Sequence, residues 1–129
     1  GLLPIEFSAA SATFEQREGD VINNFGVNKA VDGDAKSTAS GWAVGGQIGQ
    51  DNTAVFEIGN RVGTAEKTEI KLILTQNYNA HPLGKFRISL TTDTETVAVD
   101  GHGMVPRQDR AAGDCTDSPE LCVFLRSWR

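Results

Sequence analysis

The chain has 129 residues, 39% of them hydrophobic, and a formal net charge of −5. These values fit one globular domain with its own core, and they exclude a disordered chain or a miniprotein that depends on disulfides. The acidic balance argues against nucleic acid or an anionic membrane as the partner, because phosphate binding relies on a basic surface. The sequence contains neither a membrane-spanning run of roughly eighteen apolar residues nor a signal peptide. A chain that begins at Gly1 without Met suggests a processed piece of a longer protein.

Short apolar stretches separated by loops rich in Gly, Asn and Asp predict an all-β fold. The clearest strand signal is 85–91, where Phe86, Ile88 and Leu90 alternate with polar residues and are expected to face inward. No stretch carries a helical stripe longer than about two turns. Strands at intervals of about ten residues, with long loops between them, predict an antiparallel β-sandwich. The predicted strands are 5–8, 12–15, 53–58, 68–74, 85–91 and 96–99.

The composition changes near residue 101, so we predict a β-sandwich domain over 1–101 and a tail over 102–129. The tail is either a closing segment, with a terminal strand at 121–125, or a linker followed by residues foreign to the domain. It holds both cysteines, Cys115 and Cys122. A disulfide is the simplest interpretation if the chain is exported. Catalytic thiols are disfavoured, because neither His81 nor His102 lies in a pattern typical of a thiol enzyme.

The segment 28–38 contains two carboxylates around a glycine, Asp32-Gly33-Asp34, followed by hydroxyl residues. Calcium takes six to eight oxygens from carboxylates, hydroxyls and loop carbonyls, so this segment is a candidate cation loop. The closing glutamate of a helix-loop-helix calcium motif is missing. The simpler interpretation is a turn capped by its own Asp side chains, which is common for Asp-Gly. Spacing alone leaves both interpretations open.

The segment 76–84 gathers amides, a phenol and an imidazole directly before a predicted strand. A sugar site needs an aromatic face for the apolar side of the ring, together with planar amides for the hydroxyls. Tyr78 supplies such a face, and a polar loop in which Tyr78 only covers one end of the sandwich is the alternative. Trp42 is a second candidate for stacking, although a tryptophan in a small sandwich more often fills the core. Nothing indicates a glycosidase-type pair of acids.

Several pieces form an ordered series: 28–34, then Thr38 and Trp42, then 54–57, then 84–89. The series resembles the galactose-binding-like β-sandwich superfamily, the discoidin or coagulation-factor type C group with its carbohydrate-binding modules. More narrowly, it is similar to modules embedded in large exported bacterial proteins, some of them associated with c-type cytochromes. The resemblance covers roughly residues 5 to 100, and the tail matches nothing in that group. The group's Gly-Arg-Phe-Arg strand is Gly-Lys-Phe-Arg here, with Lys85 in the second position.

The resemblance implies a jelly-roll sandwich that binds carbohydrate without cleaving it. It also implies a structural calcium in the cation loop, with Asp32 and Asp34 as ligands and with Lys29 and Thr38 offering backbone or hydroxyl oxygens. Ligand-binding residues vary within the superfamily and are not transferred by motif.

We therefore predict a non-catalytic carbohydrate-binding module of a larger exported bacterial protein, extracellular or periplasmic. The expected ligand is a polysaccharide of the β-linked glucan or xylan type, bound without nucleic acid or membrane insertion. A protein-docking or adhesion domain is the alternative, and a small hydrolase is disfavoured because no nucleophile and base form a set. The residues predicted to bind the sugar are Trp42, Gln76, Asn77, Tyr78, Asn79, His81 and Arg87.

Overall fold

The computed structural model describes residues 2–60, 62, 67–78, 82–91, 99–100, 103–104 and 122–128. Four antiparallel strands form one sheet in the order β1-β2-β6-β3, and β4 and β5 form a second, two-stranded sheet. The predicted all-β class is confirmed at this level, and the helical structure described is one 3-10 helix, Val27–Ala30. The strands are β1 (Phe7–Ala12), β2 (Asn52–Ile58), β3 (Lys85–Thr91), β4 (Val99–Asp100), β5 (Gly103–Met104) and β6 (Cys122–Trp128).

Strands β2 and β3 lie where the sequence predicts them, but β3 buries less than expected. Ile88 packs against the core, whereas Phe86 is 40% exposed and Leu90 is 50% exposed. The sequence predicts that Phe86 and Leu90 face inward, and both side chains are instead partly exposed. The reason is that β3 is an edge strand of the four-stranded sheet, so its side chains have a neighbouring strand on one side only.

Strand β1 corrects the prediction of two short strands at 5–8 and 12–15. A single strand runs through the segment Ala9-Ala10-Ser11, which lies between the two predicted strands. Phe7 pairs with Ile58 and Ala9 pairs with Glu57, so the register shifts between these two pairs. The small side chains of this segment carry little of the alternating signal by which strands are recognised in a sequence.

The segment 68–74 is not a strand, which corrects the prediction made from its alternation. Ile70 and Leu74 are half-buried and pack against the core, while Ile73 is 73% exposed. The segment thus buries part of its apolar side chains without joining a ladder. The position between β2 and β3, where another long strand would pair on both sides, is filled by β6.

Strand β6 comes from the segment for which the sequence left two interpretations. Its residues pair with β2 on one side, through Val55 opposite Phe124, and with β3 on the other, through Ile88 opposite Leu125. The four-stranded sheet therefore combines strands from both sides of the predicted boundary at residue 101. Of the predicted strand 96–99, only Val99 lies within the described residues, as the first residue of β4. Cys115 lies outside them.

The core lies on β2 and is covered by loops. Ala54, Phe56 and Ile58 are buried on one face of the strand, together with Val27 from the 3-10 helix. The ring of Phe56 meets that of Phe7 edge to face, with the centroids 5.8 Å apart. Side chains that bind backbone groups hold the long connection 13–51 against this core. For example, the Glu15 carboxylate accepts the Val27 N–H at 2.8 Å.

Candidate functional site

The predicted cation loop is closed by its own aspartates. Asp32 Oδ1 accepts the Asp34 N–H at 2.9 Å. Asp34 Oδ1 accepts the N–H groups of Lys36 at 3.2 Å and Ser37 at 3.1 Å. Gly33 has a φ of 87°, a left-handed conformation that glycine adopts at low cost. This is the hydrogen-bonding pattern by which aspartate side chains stabilise turns.

The same oxygens are the ones expected to bind calcium, and the geometry fits such an ion poorly. Lys29 Nζ lies 3.8 Å from Asp32 Oδ2, so a cation already faces that carboxylate. Asp34 Oδ1 faces two N–H donors. Within the described ranges, no three Asp, Glu, His or Cys side chains gather into a group that could hold a metal. Lys29, Asp32, Asp34 and exposed Thr38 stay the predicted ligands, but the loop is accounted for without an ion.

A side chain from the second predicted site reaches this loop. Asn77 Nδ2 donates one hydrogen bond to the Ala35 carbonyl at 2.9 Å and another to the Ser37 carbonyl at 3.0 Å. The two segments are about forty residues apart in sequence, so only the fold brings them together. For the rest of the article we call residues 32–38 the acidic loop. The structure thus joins the candidate cation site and the candidate sugar site into one region.

The base of the sugar loop is closed by Gln76. Its side-chain oxygen accepts the Leu83 N–H at 2.6 Å, and Leu83 itself is half-buried against the core. Tyr78, next to Asn77, is 59% exposed. Asn79 and His81, which the sequence also proposes as sugar ligands, lie outside the described residues. Of the two aromatic candidates, Tyr78 is the more exposed, and the two residues before it are held by side-chain hydrogen bonds to the backbone.

Trp42 occupies a different position. It is half-buried and packs against the core cluster. Its indole N–H donates to the Phe14 carbonyl at 2.8 Å. This is the arrangement expected of a tryptophan that fills the core, since its polar atom has found a backbone partner. None of these contacts joins Trp42 to the region around Tyr78.

Arg87 is exposed on β3 and lies directly opposite Arg126 of β6 in the register. Arg87 therefore lies in the sheet, whereas the residues 76–78 lie outside it. The parts of this region that sequence analysis missed are the carbonyl groups of Ala35 and Ser37. A backbone carbonyl carries no residue-specific signal, so nothing in the sequence could have identified them.

The comparisons with known proteins add no relative to this description. No protein family, curated protein or solved structure matches the chain. Among the residues that the structure describes, no helix is both long enough and apolar enough to cross a membrane.

Proposed function

We propose that this chain is a non-catalytic carbohydrate-binding module with a galactose-binding-like jelly-roll fold, from a larger exported bacterial protein. The observation that carries the proposal is the exposed Tyr78, which directly follows two amide residues, Gln76 and Asn77, whose side chains bind backbone groups. An aromatic ring held by its neighbours offers a flat apolar surface to the C–H face of a sugar. Because Tyr has only two side-chain torsions, little conformational entropy is lost when it binds.

The charges around Tyr78 favour a neutral polysaccharide, which is consistent with a β-linked glucan or xylan. Lys29 and Lys36 balance Asp32 and Asp34, so the acidic loop and the residues just before it carry no net charge. The whole chain carries a net charge of −5, which repels polyanions. A uronic-acid or sulfated polymer would bind against this field, whereas a neutral one would not.

The burial of β2 supports a sandwich. Phe56 and Val55 point to opposite faces of the sheet, and both are buried, with Val55 fully so. The buried face of Ala54, Phe56 and Ile58 is what a sheet of a sandwich presents to its second layer, while the burial of Val55 shows that the opposite face is also covered at this point. In addition, β4 lies beside β1 and β2.

The test is affinity electrophoresis against soluble glucans, xylans, mannans and galactans. We expect one neutral class to retard the wild-type protein, Tyr78→Ala to abolish the retardation and Tyr78→Phe to keep most of it. Circular dichroism checks that each variant is folded. A folded Tyr78→Ala protein that is retarded as before would remove Tyr78 from the site. A folded wild-type protein that no polysaccharide retards would refute carbohydrate binding.

A protein-docking role is the second candidate, and the exposed apolar side chains of 67–78 favour it. Ile73 is the most exposed of them and lies close in sequence to Tyr78. Aliphatic side chains at the surface suit a protein partner better than a sugar, whose hydroxyls need polar neighbours. If this role is correct, neither the wild-type protein nor Ile73→Asp binds a polysaccharide. Ile73→Asp then weakens association with other domains of the parent protein. Retardation by a neutral polysaccharide, unchanged in Ile73→Asp, would contradict it.

A further inference from the structure

Asn77 makes contacts that are unusual for a residue in a sugar-binding loop. Both acceptors of its side chain, the carbonyls of Ala35 and Ser37, are main-chain oxygens. A carbonyl cannot donate, so the NH₂ group, and not the oxygen, must face them. Both hydrogens of the amide are therefore committed within the protein. An amide used in this way has no donor left for a sugar hydroxyl.

The two contacts fix the chain just before Tyr78, and Gln76, on the same side, binds Leu83 near the start of β3. Gln76 Oε1 binds the Leu83 N–H and so closes the base of the loop that contains Tyr78. The acidic loop that Asn77 grips is itself held by Asp32 and Asp34. Tyr78 thus follows directly after a residue that is tied to a closed turn.

We propose that Asn77 is the positioning residue of the sugar site and that the acidic loop is the second wall of that site. The proposal rests on the proposed function. Consecutive Cα atoms are about 3.8 Å apart, so Tyr78 lies within about 15 Å of the loop residues on either side of Ser37. Two of these, Lys36 and Thr38, are exposed and polar. They supply an ammonium and a hydroxyl to a neutral sugar that stacks on Tyr78.

The physical reason is preorganisation. A loop that must be ordered on binding loses affinity, and a loop that is already ordered does not. Protein–sugar hydrogen bonds replace bonds to water and contribute little net free energy each, so a shallow sugar site depends strongly on this saving. Without Asn77, two of the contacts that order the chain just before Tyr78 are lost.

The single tyrosine of the chain gives a direct readout. In protein labelled with ¹³C,¹⁵N-tyrosine, all tyrosine signals belong to Tyr78. We expect the backbone N–H order parameter of Tyr78 to fall from about 0.85 in the wild type to below about 0.6 in Asn77→Ala. Asn77→Asp, which keeps the size but turns an oxygen toward two carbonyls, is expected to have the same effect. An unchanged order parameter in either folded variant would overturn the positioning role.

Asn60→Ala is the matched control. The Asn60 side chain also binds a backbone group, accepting the Glu6 N–H at 3.2 Å near the start of β1. This variant loses a hydrogen bond between an Asn side chain and the backbone at an exposed position, with the Asn oxygen as the acceptor. We expect it to leave the order parameter of Tyr78 unchanged. An equal fall in Asn60→Ala would mean that Tyr78 reports general loosening, which would contradict a specific role for Asn77.

The binding arm uses the soluble glucan or xylan that retards the wild-type protein. Asn77→Ala is expected to bind about tenfold more weakly, as the loss of two modest hydrogen bonds implies. Lys36→Met with Thr38→Val is expected to weaken binding while Tyr78 stays ordered. Weak binding by Asn77→Ala with an ordered Tyr78 would show that Asn77 contacts the sugar, which overturns the positioning role. Normal binding by the double variant would overturn the second wall.

Failure of the proposed function is distinguishable from failure of this inference. If no polysaccharide retards the wild-type protein, carbohydrate binding is refuted and so is the sugar site that Asn77 would serve. The order parameter of Tyr78 then still decides whether Asn77 holds the loop. If a polysaccharide binds and the order parameter does not change in Asn77→Ala, the function stands and the positioning role falls.

Discussion

Replacing Asp34 distinguishes the turn interpretation of the acidic loop from the calcium interpretation, because the two roles use the same carboxylate differently. As a turn residue, Asp34 needs one acceptor oxygen for the N–H groups of Lys36 and Ser37, at 3.2 and 3.1 Å. Asparagine keeps this oxygen and alanine does not. As a calcium ligand, Asp34 needs its negative charge, which both replacements remove.

The geometry favours the turn, and the expected sizes follow from it. Asp34→Ala loses two exposed hydrogen bonds, so we expect a loss of about 1–2 kcal/mol in the free energy of unfolding. For a domain of this size that corresponds to a fall of about 4–8 °C in Tm. Asp34→Asn should stay within about 2 °C of the wild type, since it keeps the acceptor. Neither calcium nor a chelator should change these values.

Thermal unfolding followed by circular dichroism, with excess calcium and with excess chelator, is the assay. Asp20→Ala is the control for the loss of one negative charge. In the turn around Asp20 the Arg17 guanidinium binds the main-chain carbonyl at 2.8 Å, and alanine keeps that carbonyl. If Asp34→Asn is as damaging as Asp34→Ala, and if chelator lowers the Tm of the wild type, the turn interpretation is refuted and the loop binds calcium.

Two further variants test the packing of the connection 13–51. Gly45→Ala should destabilise by about 1–2 kcal/mol, because a Cβ would lie 2.8 Å from Gln16 Cδ and would displace the side chain that accepts the Gly45 N–H at 2.9 Å. Chemical denaturation measures the loss of stability. The double variant with Gln16→Ala should be as stable as the less stable single variant, because both changes remove the same contact. Additive losses would contradict that shared contact. Trp42→Phe should lose about 1–2 kcal/mol, since the Phe14 carbonyl loses its indole donor, and should leave polysaccharide affinity unchanged. A loss of affinity at unaltered stability would place Trp42 in the site instead.

Strand β3 is predicted from the alternation of its apolar and polar residues, and β2 is predicted from a short apolar run bounded by turn-forming residues. β3 is predicted over its whole length, and β2 starts one residue before its predicted start at Thr53. β1 is mispredicted because its middle is made of alanine and serine, which are small and carry little pattern. The segment 68–74 alternates between apolar and polar residues but does not pair with another strand. Whether an alternating segment pairs depends on which other strands lie beside it in the fold, and alternation does not encode that.

Position in the sheet is also hidden from the sequence when the partners are distant. β6 lies between β2 and β3, although it follows β3 by about thirty residues and β2 by about sixty-five. Its apolar run predicts a strand, but nothing in that run specifies two neighbours. The exposed ends of β3 are missed for the same reason, because burial follows from a residue's place across the sheet as well as along the strand.

The candidate site shows the same division between local and long-range information. The turn formed by Asp32 and Asp34 is local, and the sequence offers it as one of two interpretations. The bond from Asn77 to the acidic loop is long-range, and its acceptors are carbonyl groups that any residue would provide. The sequence therefore predicts Asn77 as a sugar ligand, whereas its side chain binds two backbone carbonyl groups of the acidic loop.

The long loops of this chain depend on polar side chains for their shape, and this dependence narrows the search for ligand-binding groups. Glu15, Gln16 and Asn52 each bind backbone groups of the connection 13–51, where a strand ladder would otherwise satisfy them. Asn77 and Gln76 do the same around Tyr78. The NH₂ group of Asn77 can donate to a sugar only by releasing the acidic loop, which costs both hydrogen bonds and the order of the loop. The loops are thus preorganised by their polar residues, and the groups best suited to meet a ligand are the exposed ring and the exposed wall beside it.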